Sequence, residues 1–152
     1  MTLTLMALDA EASCEYLDGL WPQYRAELIQ AGSSEAEADA NIERNQQALS
    51  PNGVVAAGQF MFRVLEEDQH IGNLWLAQRS PDDWFIYDIE VFEEFRGRGL
   101  GRETLRLAEA YVIEQGAKQM GLSVFGFNTA ARSLYESAGY SIVSMGMVKR
   151  LG

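Results

Sequence analysis

The stretch from Trp84 to Gly101, W-F-I-Y-D-I-E-V-F-E-E-F-R-G-R-G-L-G, most constrains what this chain can become. Ile86, Ile89, Val91 and three aromatics fall between Trp84 and Val91, the composition of a strand buried on at least one face. From Leu100 the chain reads as a helix, with Leu105, Ala108 and Val112 spaced i, i+3, i+7 on one face. Between the two lies Arg96-Gly97-Arg98-Gly99-Leu100-Gly101. Alternate glycines let a backbone approach a ligand closely and turn successive N–H groups toward it. A helix that starts there adds unpaired N–H donors and about half a positive charge. Arg96, Arg98 and Arg102 add full charges. Strand, glycine loop and helix together predict a phosphate site.

Two common phosphate motifs do not fit. A P-loop ends in Gly-Lys-Ser/Thr, and this loop has no lysine. A dinucleotide fingerprint starting at Gly97 would need glycine at 102, where the chain has Arg102, and an acid near the end of the next strand, which has none.

The rest of the chain supplies a mixed α+β frame. Residues 2–8 read as a strand, and Asp9 is positioned to cap a helix over 10–31 that Gly32 stops. Trp21-Pro22 predicts a kink or a break in that helix. Ser33-Ser34-Glu35-Ala36-Glu37 starts a second, strongly polar helix to about Leu49. Residues 58–66, 70–78 and 84–91, joined by short turns, read as an antiparallel meander. The helix 101–115 ends at Gly116 and leads to a strand at 119–125, a crossover that makes strands 84–91 and 119–125 parallel. A short helix follows over 130–138, and 140–145 and 147–151 read as a last pair of strands that could mediate a dimer.

At 152 residues the chain is read as one domain spanning 1–152. No apolar run approaches a membrane span, and the N-terminus lacks a basic segment followed by an apolar core, so the reading is a cytoplasmic protein without membrane association. One cysteine, Cys14, and one histidine, His70, leave almost no material for a zinc site or a Ser-His-Asp triad, and no metal is expected. The net charge of −10 argues against nucleic-acid binding. That charge is unevenly spread: residues 1–94 carry −14 and residues 95–152 carry +4. The basic part holds the proposed phosphate loop. The acidic part is either a solvated surface or a field that favours a cationic partner.

Two motifs carry a family resemblance. Arg96-Gly97-Arg98-Gly99-Leu100-Gly101 resembles the Arg/Gln-x-x-Gly-x-Gly/Ala segment of the GNAT superfamily of N-acetyltransferases, and Asn128-Thr129-Ala130-Ala131-Arg132-Ser133-Leu134-Tyr135-Glu136-Ser137-Ala138-Gly139-Tyr140 resembles its Asn-x-x-Ala-x-x-Leu-Tyr-x-x-x-Gly-Phe/Tyr hallmark. Gly72 in His70-Ile71-Gly72-Asn73-Leu74 resembles the family's hydrophobic-Gly strand. The resemblance covers roughly residues 58–151 well, and 1–57 only by element order. It implies a GNAT-like fold: a mostly antiparallel mixed sheet of about seven strands, one parallel pair around the cofactor and about four helices. It implies acetyl-CoA as cosubstrate and a primary amine as acceptor, a cationic one if the acidic part of the chain steers it, and the protein is read as a monomer or a homodimer. An acetyl-CoA-binding module without turnover is the alternative.

The implied cofactor contacts are Ile89, Val91 and Phe92 on the donor strand, Arg96, Gly97, Arg98, Gly99, Leu100, Gly101 and Arg102 in the loop, and Asn128, Ala131 and Tyr135 in the second motif. Asn128 is also explained as a helix N-cap, and Tyr135 as an amphipathic core residue. In the family the matching tyrosine protonates the departing thiolate. The general base is ambiguous. The position at which many members carry Glu is Tyr87, and another common acid position is Ser123. Asp88 and Glu90 are the carboxylates that remain, and Tyr87 could orient a water. In a regular strand Asp88 and Glu90 share a side opposite to Tyr87, unless a bulge intervenes. Structural carboxylates paired with arginines would explain both acids equally.

Overall fold

The structure is a computed structural model and describes residues 2–152. A five-stranded sheet runs in chain order: β1 (Leu3–Ala7), β2 (Gln59–Glu66), β3 (Gln69–Gln78), β4 (Asp83–Val91) and β5 (Gln119–Leu122). The first four strands are antiparallel neighbours. β4 and β5 are parallel, as the intervening helix requires.

Helices cover both faces. α1 (Ala10–Gln30) and α2 (Glu35–Leu49) lie on one face, where Leu17, Trp21, Leu28 and Ile42 bury against Met61 and Trp75. α3 (Leu100–Glu114) lies on the other, where Leu105, Ala108 and Val112 meet Leu74, Leu76, Trp84 and Ile86. α4 (Thr129–Ser137) adds Tyr135 to the rim of that second core. The period-two alternation of β3 and β4 feeds both layers, so the sheet has no solvated face there.

Local chemistry sets the helix ends. Asp9 accepts from the Ala12 N–H at 2.8 Å, and Ser34 and Glu37 close a reciprocal capping box. Pro22 neither breaks α1 nor divides it into two helices; the helix is continuous over 21 residues. Burial of Leu17, Trp21 and Leu28 on both sides of the proline outweighs one missing backbone hydrogen bond.

Gly72 answers a steric demand. A Cβ there would stand 2.0 Å from the Glu90 carbonyl oxygen, so only glycine lets β3 approach β4 at this point.

The sheet has five strands, not about seven. Residues 140–152 form neither helix nor strand, although Ile142, Val143, Met145, Met147 and Val148 have strand-like composition. A strand exists only where an edge pairs with it. Here the segment runs instead to the α1–α2 turn, where Arg150 donates to the Gly32 carbonyl at 2.7 Å and pairs with Glu37. Val143 and Met147 are consequently 95% and 92% exposed.

Candidate active site

β4 and β5 stay paired only from Asp83↔Gln119 to Ile86↔Leu122. Beyond Leu122 the two strands part, while β4 continues to Val91 with only its β3 edge bonded. The direction of its backbone groups follows from two contacts. The Phe92 N–H donates to Ile71 on β3 at 2.9 Å, and the Glu90 carbonyl faces Gly72. By alternation, the N–H and C=O groups of Ile89 and Val91 face the open side. Arg96 Nε confirms that direction by donating to the Val91 carbonyl at 2.8 Å.

A cavity of about 400 Å³ occupies the split, bounded by α1, β4, the segment after β5, and α4. Tyr87, Asp88, Ile89, Asn128, Ala131 and Tyr135 all line it. Glu90 does not line it, and neither do Val91, Phe92 or the loop 96–102. The loop follows β4 through a short 3-10 turn, Glu93–Phe95.

A bulge brings the candidate catalytic side chains of β4 together. Trp75 pairs with Asp88 and Leu76 with Ile86, so Tyr87 is an extra residue without a partner. Its ring packs 4.8 Å from that of Trp75, the cross-strand partner of Asp88. Tyr87 and Asp88 therefore share the α1 face, against the alternation of a regular strand. Ile89 then turns to the α3 core, and Glu90 returns to the α1 face.

Asp88 is the most perturbed carboxyl of the group. Burial pushes it up from an ordinary 3.8 to about 6. The Tyr16 hydroxyl, which donates to its Oδ2, opposes that shift; the negative charges of Glu90 and Glu27 reinforce it. Tyr16 is raised in turn, by burial and then by Asp88. Glu27 is raised by burial and by Glu90. No arginine pairs with Asp88 or Glu90 among the described residues. The carboxylates are thus not explained by ion pairing.

Tyr135 faces the same cavity from α4. Burial, with a smaller contribution from Asp88, pushes its hydroxyl up to about 12, so it holds its proton throughout the neutral range. That hydroxyl makes no hydrogen bond within the protein among the described residues. Asn128 is an N-cap, its Oδ1 accepting from the Ala131 N–H at 3.1 Å.

The loop has the form of an anion cradle. Gly97 and Gly99 are left-handed, at φ 80° and 77°, and a Cβ at either would meet only open space. Gly99 begins α3 with no side chain capping the helix, so the first N–H groups of α3 are left for a ligand. The Leu100 side chain is buried, leaving its backbone for any contact, and Gly101 packs near Leu134. Arg98 pairs with Glu66 at 2.8 Å, and Arg102 donates to Ser137. The phenyl ring of Phe92 packs edge-on against His70.

Sequence reasoning missed the α1 wall: Tyr16, Trp21, Tyr24 and Glu27. The available signal was the spacing of Tyr16, Leu17, Leu20, Trp21, Tyr24 and Leu28, an apolar stripe that also describes an ordinary core face. Trp75, Arg79 and Phe125 were missed as well.

Known proteins agree with this architecture. The model of the acetyltransferase (GNAT) family matches residues 15–140. A Bacillus subtilis (strain 168) protein described as the uncharacterized N-acetyltransferase YycN is 29% identical over 99% of this chain and 100% of its own length. A second B. subtilis protein, described as the uncharacterized N-acetyltransferase YdgE, is 30% identical over 78% of each chain. The crystal structure of YycN superposes with a TM-score of 0.87, covering 99% of both chains at 27% identity.

Proposed function

The chain belongs to the GNAT family and is an acetyltransferase, and from that premise we propose that it moves an acetyl group from acetyl-CoA to a primary amine by direct attack in a ternary complex. The acceptor is a small molecule or a peptide or protein amine. The observation that carries this reading is that a half-buried carboxyl, Asp88, and a protonated phenol, Tyr135, face one cavity at the split between β4 and β5.

The residues fit the donor. The left-handed glycines and the uncapped start of α3 would hold its pyrophosphate, with Arg96, Arg98 and Arg102 beside them. Acetyl-CoA supplies an activated thioester carbonyl, so no covalent enzyme intermediate is needed.

Each remaining role falls to a group of the chain. A free alkylamine titrates near ~10.4, so at pH 7 roughly one molecule in 2,500 is neutral, a cost of about 4.6 kcal/mol. Asp88, ionised above about pH 6, takes the amine's proton and offsets part of that cost. Glu90, on the same face, adds negative charge that favours proton uptake at Asp88. Tyr87, beside Asp88, orients the acceptor or a bridging water. The N–H groups of Ile89 and Val91 on the open edge of β4 stabilise the oxyanion. Tyr135 gives its proton to the leaving sulfur.

The test is thiol release from acetyl-CoA against pools of polyamines, aminoglycosides, amino acids and short peptides, with the acceptor's gain of one acetyl group read by mass. Release with acetylated product supports the reading. Acetyl-CoA binding without release against any pool would favour a binding module.

A further inference from the structure

The cavity has an unexplained cation. Arg79, at the end of the β3–β4 hairpin, is the only basic residue among the described residues that line it, and it makes no ion pair there. Its guanidinium carbon instead sits 3.6 Å above the centroid of the Phe85 ring and 5.5 Å from that of Tyr87. One Nη donates to the Tyr87 hydroxyl at 3.2 Å. Aromatic contact and one hydrogen bond fix the plane of the guanidinium while leaving most of its five donors unused.

The cavity is therefore polarised. Its lining carries both signs of charge, Asp88 and Glu27 against Arg79, and Tyr87, which the bulge sets beside Asp88 on one face, accepts from Arg79. Trp75, Phe85 and Tyr87 form a continuous aromatic surface, and all three line the cavity. A dication would be repelled by Arg79, and a plain alkylamine would leave it idle. An acceptor that carries a carboxylate as well as its amine satisfies both charges, because a planar guanidinium fork matches a carboxylate in two parallel hydrogen bonds.

We propose that Arg79 recognises a carboxylate of the acceptor, so that the acceptor is an aminocarboxylate, an amino acid or short peptide with an apolar or aromatic body. This rests on the cavity being the acceptor end of an acetyltransferase site. Arg79 is a specificity residue and takes no part in the proton transfers.

The experiment measures thiol release from acetyl-CoA with α-amino acids, ω-amino acids and dipeptides, each beside its carboxamide, and with alkyl diamines, on the full chain and on Arg79→Gln and Arg79→Lys. Calorimetric titration with acetyl-CoA runs in parallel. The expected result is at least one carboxylate acceptor favoured over its carboxamide by about 10- to 100-fold in kcat/KM. Arg79→Gln brings that ratio to near one, and Arg79→Lys restores part of it. The proposal is overturned by carboxamides that match their acids, by diamines as the best acceptors, by Arg79→Gln lowering both members of a pair equally, or by no turnover of any aminocarboxylate. If acetyl-CoA binds in those cases, only the role of Arg79 is lost. If acetyl-CoA does not bind, the acetyltransferase reading of the cavity is lost with it.

Discussion

Replacing Asp88 by Asn should stabilise the protein and disable it, and the two effects have the same cause. The folded state holds the Asp88 proton until about pH 6, whereas the unfolded chain releases it near 3.8. Within that window the folded protein binds more protons than the unfolded chain, so stability falls as pH rises from about 4 to about 6 and is flat above. The difference corresponds to about 3 kcal/mol, the cost of keeping an ionised carboxylate in this site. Asparagine keeps an oxygen for the Tyr16 hydroxyl and removes the charge. Asp88→Asn should therefore gain up to about 3 kcal/mol at pH 8, or about 6–12 °C in Tm, and almost nothing at pH 4. The same change removes the general base, so kcat/KM should fall on the order of 100-fold, and the acid limb near pH 6 should disappear from the pH–rate profile. Thermal unfolding from pH 4 to 8 and steady-state kinetics on both proteins check each part. A variant with unchanged stability at pH 8 would refute the costly ionised carboxylate. A variant with unchanged kcat/KM would refute its role as base.

Other expectations follow from the same geometry. Tyr135→Phe should lower kcat on the order of 100-fold with little change in KM for acetyl-CoA, seen in steady-state kinetics. The wild type should show no loss of rate from Tyr135 ionisation below pH 10, because that hydroxyl titrates near 12. Gly72→Ala sets a Cβ against the Glu90 carbonyl and should cost about 1–3 kcal/mol, a fall of about 2–12 °C in Tm by differential scanning calorimetry. Gly99→Val forces a branched side chain into the left-handed region at the start of α3, and should weaken acetyl-CoA binding on the order of tenfold by calorimetry.

Much of this architecture was legible because local chemistry and global fold agree. The Asp9 and Ser34 caps, the β2–β4 meander and the parallel β4–β5 pair all follow from spacing, turn residues and the handedness of a crossover. Gly72 was legible as a motif, and the structure supplies its cause in the approach of Glu90. The segment after Tyr140 was not legible, because apolar alternation gives strand propensity but no pairing partner. Burial on both sides of Pro22 likewise outweighed a local breaker. In the site, Asp88 and Tyr87 were visible as residues, but their shared face depends on a bulge, and a bulge is a property of two strands at once. The α1 wall was hidden for another reason. An aromatic that lines a cavity and one that fills a core have the same helical spacing, and only packing against β4 separates them.

The most direct measurement is a crystal structure with coenzyme A bound. Its pyrophosphate is expected on the backbone of residues 97–102, its pantetheine arm in the split between β4 and β5, and its sulfur within hydrogen-bond reach of the Tyr135 hydroxyl, in the cavity that Asp88 also lines. Coenzyme A bound away from the split, or with its sulfur remote from both Tyr135 and Asp88, would contradict the assignment of this cavity as the site of acetyl transfer.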